Sequence, residues 1–101
     1  MKILALEKEV PGTTDDQLTP LLRCEAERAW ELYQDGTIRE LYFRQDRSEA
    51  VLVLECENID EASDVLHTLP MVNHGLIAFD LIPLVPYPGF ARLFKEAFVG
   101  D

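Results

Sequence analysis

Basic residues are scarce in this chain. Nine lysines and arginines stand against 19 aspartates and glutamates in 101 residues, a formal net charge of −10. That sign repels phosphate backbones and anionic lipid, so neither nucleic acid nor a membrane is expected as a partner. Histidine and cysteine are equally thin: Cys24, Cys56, His67 and His74 are all there are. No CxxC spacing or His/Cys cluster occurs, so no metal site is expected. Two reduced thiols fit a cytoplasmic protein. No apolar run approaches the ~20 residues of a membrane span. The opening run, MKILALEKEV, lacks the length and small-residue cleavage site of a signal peptide. GxGxxG, P-loop and GxSxG patterns are missing too. Nothing therefore points to a nucleotide, a flavin or a covalent nucleophile, and no cofactor is expected.

What is present suffices for a core, because 48% of the residues are hydrophobic. The length predicts one domain over residues 1–101, with a C-terminal arm from about 86 to 101. Lys2 to Val10 reads as a strand that stops at Pro11-Gly12. A helix follows, starting from a Thr14/Gln17 capping box or later at Thr19-Pro20, and running through Tyr33 to Asp35-Gly36. Thr37 to Arg44 and Glu49 to Cys56 read as an antiparallel hairpin. A second helix starts at Asn58 or Asp60, carries Ala62, Val65, Leu66 and Leu69 on one stripe, and ends at Pro70. Leu76 to Val85 is a fourth strand. This β-α-β-β-α-β order predicts an α+β, ferredoxin-like fold: a four-stranded antiparallel sheet with two helices on one face. Ala50 to Leu54 is apolar at every position, and Leu81, Ile82, Leu84 and Val85 continue the theme. A sheet apolar on both faces wants a second layer, which a second copy supplies as a homodimer.

One carboxylate is out of place. On a helical wheel at about 100° per residue, Leu18, Leu21, Leu22, Ala26, Ala29, Trp30, Leu32 and Tyr33 share an arc, and Glu25 falls inside it. A carboxylate facing a core is costly unless it is paired, protonated or wetted by a cavity. Strict alternation in the next strand puts Thr37, Arg39, Leu41 and Phe43 on one face, with Ile38, Glu40, Tyr42 and Arg44 on the other. If Arg39 faces the helices, it meets Glu25. The pair then reads as a buried ion pair, or as an anion-binding cation beside a proton carrier. Tyr33, Tyr42, Arg44 and His74 are candidate substrate-binding groups, His74 from the loop entering the last strand. Asp80 marks a wet cavity or a competing partner for Arg39 or Arg44. Trp30 reads as a packing residue, and His67 as exposed.

Glu25, the block Gly36-Thr37-x-Arg39-x-Leu41-Tyr42-x-Arg44 and the closing Thr68-Leu69-Pro70 carry a resemblance. Over about residues 1–88 the chain resembles the muconolactone isomerase group of dimeric α/β-barrel proteins. The resemblance implies ferredoxin-like subunits paired sheet to sheet, sometimes in rings of dimers. It also implies an activity that moves a double bond in an unsaturated lactone by proton transfer, with Glu25 and Arg39 at family positions. The first strand lacks the family's usual charged spacing, and the tail after Tyr87 differs. The expected function is thus a cofactor-free isomerase or lactone-processing enzyme acting on a small unsaturated acid or lactone. The alternatives are a non-catalytic ligand-binding or assembly module on this fold, or a cofactor-free oxygenase.

Overall fold

The structure, a computed structural model, describes residues 1–94. Its strands are β1 (Lys2–Glu9), β2 (Ile38–Phe43), β3 (Ala50–Glu55) and β4 (Ile77–Leu84), in the order β2-β3-β1-β4 with every neighbour antiparallel. The helices are α1 (Asp15–Leu18), α2 (Leu22–Gln34), α3 (Ile59–Leu66) and α4 (Pro70–Asn73). This is the ferredoxin-like arrangement that the order of elements predicts.

Alternation sets the two faces of the sheet. Ile3 and Ala5 of β1 and Leu52 and Leu54 of β3 point to the helices and are buried with Leu32, Ala62 and Leu66. Ile3, Leu54 and Ile38 lie in one cross-strand row and are the largest fully buried side chains. Leu54→Ala leaves a hole in the middle of that row. It is expected to cost about 2–5 kcal/mol in a urea melt. Val85→Ala, at a position 83% exposed, should stay within about 0.5 kcal/mol of wild type.

Three local features differ from expectation. The first helix is broken: Gln17 accepts a hydrogen bond from the Thr14 N–H at 2.9 Å and α1 begins, but Pro20 forces a 3-10 turn over Thr19–Leu21 before α2 starts. Both anticipated start signals are therefore used. The second helix ends at Leu66, not at Pro70, and Pro70 instead opens α4, where its missing N–H costs nothing. The third is a β-bulge in β2. Ile38 pairs with Leu54 and Glu40 with Val53, so Arg39 is the extra residue. The bulge returns Ile38 to the same face as Leu41 and Phe43, which strict alternation had separated.

Gly36 ends α2 with φ +87°, a conformation that favours glycine. Beyond β4 the chain leaves the sheet as an arm with a 3-10 turn over Pro88–Leu93. The Tyr87 ring folds over Gly89, so close that a Cβ there would sit 2.0 Å from it, and meets Phe90 edge-on at 4.9 Å. Val85, Phe90, Leu93 and Phe94 are exposed. The arm from residue 95 to 101 lies outside the described residues. No helix among the described residues is long and apolar enough to cross a membrane.

Candidate active site

The apolar stripe of α2 does not close onto the sheet. Small side chains, Ala26 and Ala29 on the helix and Ala50 on β3, are among those lining a cavity of ≈ 550 Å³ there. Its walls also include Leu52, Leu69, Met71 and Phe79. Its mouth is framed by exposed apolar groups, Leu22, Trp30, Tyr33, Leu41 and Phe43. Trp30, read as a packing residue, is instead 58% exposed and stacks on Tyr33 at 5.8 Å. Of α2, Leu32 alone is buried.

Glu25 faces this cavity. Its Oε1 accepts a hydrogen bond of 2.9 Å from the Met71 backbone N–H, at the start of α4. It forms no ion pair among the described residues. Burial in an apolar wall pushes its carboxyl above the usual carboxylate range, and the Met71 bond offsets part of that.

A second carboxylate shares the cavity. Glu7 follows Ile3 and Ala5 on the helix-facing side of β1 and lines the sheet wall. The β1–β3 register ends at Leu6 opposite Val51, so the next strand amide, that of Ala50, has no ladder partner on β1. The Glu7 Oε1 takes that N–H at 2.9 Å. Its carboxyl is also held above the usual range, by burial first and then by the charges of Glu49 and Glu25. Sequence reasoning missed Glu7. The signal was there, an acid two and four residues beyond Ala5 and Ile3 on a face otherwise turned inward.

Raised carboxyls make a signed prediction. The folded state holds protons on Glu7 and Glu25 that the unfolded chain releases at about its ordinary pKa of ~4.3. Their favourable contribution is whole below that pH and is lost as pH rises through the higher folded-state values. In denaturant melts from pH 4.5 to 8, the stability of Glu7→Gln/Glu25→Gln relative to wild type should therefore rise with pH and then level. A difference that falls with pH would contradict the assigned directions.

The other sequence candidates are scattered. Arg39 is exposed at the bulge and donates from Nε to the Gly36 carbonyl, so it does not meet Glu25. Because the bulge lifts it out of the alternation, the expected pair does not form. Arg44 is held by Asp46 at 2.6 and 2.9 Å and approaches Glu49 at 3.7 Å, at the hairpin end. Tyr42 lies on the sheet face away from the helices and donates to Glu40 at 2.9 Å. His74 is exposed, with Nδ1 2.8 Å from the Pro70 carbonyl oxygen. Asp80 pairs with Lys8 at 2.8 Å, not with Arg39 or Arg44. His67 is exposed but lines a smaller hollow of ≈ 280 Å³ beside α3 and β4. Of the sequence candidates, Glu25 and Tyr33 are the two that the cavity brings together.

Solved structures share this architecture. Muconolactone isomerase superposes with a TM-score of 0.71 at 21% identity, over 87% of this chain and 92% of that one. The chain has the muconolactone isomerase fold. The 5-chloro-2-hydroxyhydroquinone dehydrochlorinase of Burkholderia phenoliruptrix AC1100, solved with 2,5-dihydroxybenzoquinone, superposes with a TM-score of 0.62 at 19% identity, over 88% of this chain and 98% of that one. At these identities the likeness is one of fold. No protein-family model and no curated protein matches the chain.

Proposed function

We propose that the cavity between α2 and the sheet is the active site of a cofactor-free enzyme that moves a proton on a small unsaturated ring compound, an isomerase or lactone-processing enzyme with Glu25 as its base. The carrying observation is a carboxylate with no counter-ion among the described residues, pinned by one backbone N–H, in an apolar cavity of ≈ 550 Å³. Desolvation strengthens a carboxylate as a base, and the Met71 bond fixes its direction. The volume suits one small ring. The fold adds support, since two enzymes that share it carry names of reactions on a lactone and a hydroquinone. Arg39, bonded to Gly36 outside the cavity, is given no part in the step. Tyr33 is assigned to the mouth, where its hydroxyl is free to orient a ring.

The test uses small unsaturated lactones, cyclic enones and hydroxyquinones in D2O, with solvent deuterium entering the acidic C–H position read by proton NMR. At least one should exchange faster with protein than with buffer. Exchange at the buffer rate across the set would contradict the reading.

We also infer a homodimer through the sheet face opposite the helices. Leu4, Leu6, Val51, Val53 and Ala78 are only half covered there, and Tyr42, Ile82 and Leu84 are exposed. The exposed aromatic arm is a second surface for self-association, including a larger ring of dimers.

A further inference from the structure

Among the described residues the cavity wall carries two carboxylates and no lysine, arginine or histidine. That combination fits poorly with an anionic ligand. A carboxylate entering it would meet Glu7 and Glu25 in apolar surroundings, with Glu49 close behind. It also leaves an unanswered demand. Removing a proton next to a carbonyl puts negative charge on the carbonyl oxygen, and that oxygen needs a donor. The backbone donors at the wall, Ala50 and Met71, are already taken by Glu7 and Glu25. The Trp30 and Tyr33 donors stand at the exposed mouth. A carboxylic acid in its neutral form is the donor left inside.

The two acids are not equivalent. Glu25 sits in the first turn of the 13-residue α2, where the helix dipole favours its charged form. Glu7 lies on a strand, and the negative charges of Glu49 and Glu25 bear on it. Glu49 lies 3.7 Å from both Arg44 and Arg47. The remaining wall contributed by β2, α4 and β4 is Ile38, Leu41, Phe43, Met71, Ile77 and Phe79, with nothing that titrates. Of the two acids, Glu7 is the one that neighbouring charge as well as burial pushes toward its protonated form.

We propose that Glu7, in its protonated form, donates a hydrogen bond to the carbonyl oxygen of the ligand, so that this cavity selects an uncharged unsaturated carbonyl compound over a carboxylate. The inference rests on the catalytic reading above and specifies its substrate class. For a β,γ-unsaturated lactone the step balances. The Glu25 carboxylate takes the α-proton, the C–H electron pair becomes the dienol double bond, and the carbonyl oxygen takes the Glu7 proton. Glu7 then recovers its proton from the enol oxygen while Glu25 returns its own to the γ-carbon. The double bond has moved one place, and both acids are restored.

The test is a fluorescence titration of Trp30, the single tryptophan of the chain and part of the cavity mouth. The probes are a γ-methyl butenolide and the same ring bearing a carboxymethyl group. The uncharged lactone should bind at least about tenfold tighter at pH 7, or 1.4 kcal/mol. Its affinity should fall about tenfold per pH unit above the Glu7 midpoint. Glu7→Gln keeps an acceptor for Ala50 and an N–H donor, so it should bind with a flat pH profile. Equal or tighter binding of the carboxymethyl ring by wild type overturns the proposal without reference to any variant. So does an unchanged pH profile in Glu7→Gln, or no binding of either ring at millimolar concentration. Selective, Glu7-dependent binding without double-bond migration contradicts the catalytic reading and upholds this one. Migration with no Glu7 dependence does the reverse.

Discussion

Glu25→Gln should slow turnover by about 10²–10⁴-fold, the range for loss of a positioned base, while changing the unfolding free energy by less than about 1 kcal/mol. Both halves follow from what the carboxylate touches. Its hydrogen-bond partner is the Met71 N–H, and the amide oxygen of glutamine accepts the same bond. No arginine faces it, because Arg39 is turned to Gly36. The substitution therefore strands no buried cation, and the ~3–5 kcal/mol cost of breaking a buried ion pair does not arise. Removing a partly desolvated charge offsets any small packing loss. A denaturant melt reads the stability half, and deuterium exchange on any substrate found reads the other. A stability loss above about 3 kcal/mol would mean that Glu25 holds the fold together. An unchanged exchange rate would remove it from the chemistry.

Val51→Glu should convert the proposed dimer to a monomer, with dissociation at least about 100-fold easier, equivalent to roughly 2.7 kcal/mol. Val51 is on an inner strand, on the sheet face away from the helices, between Leu6 of β1 and Tyr42 of β2. In a single chain its side chain is half covered, so a glutamate there reaches water and the subunit still folds. In a sheet-to-sheet dimer the same carboxylate is enclosed by apolar groups, and a two-fold axis brings its copy near. Light scattering across a dilution series would show the change. Wild type that is monomeric at micromolar concentration, or a variant with unchanged mass, would contradict the dimer.

Much of the architecture was legible because it depends on periodicity. The strand–helix order follows from apolar spacing and from punctuation by Pro11-Gly12, Asp35-Gly36 and Asn58. Glu25 was legible for the same reason, as a polar residue inside a regular apolar arc. What it faces was not. An arc on a helical wheel looks the same whether its side chains pack or line a gap, and here Ala26, Ala29 and Trp30 line one. That is also why Trp30 was read as packed. Arg39 was misplaced because a bulge shifts the inward and outward positions by one, and nothing in Ile38-Arg39-Glu40 marks the extra residue. Glu7 was hidden in the charged end of the first strand, Glu7-Lys8-Glu9. Its inward direction follows from alternation with Ile3 and Ala5, but its partner, the Ala50 N–H, is set by where the β1–β3 ladder stops, a long-range property.

A crystal structure of the protein soaked with the uncharged γ-methyl butenolide is the direct test of Glu25 as the base in this cavity. The ring should lie between α2 and the sheet, with its acidic carbon about 3–3.5 Å from a Glu25 carboxylate oxygen, the distance of a reactive approach. A ring bound elsewhere, or a Glu25 enclosed by side chains with no space before it, would contradict it.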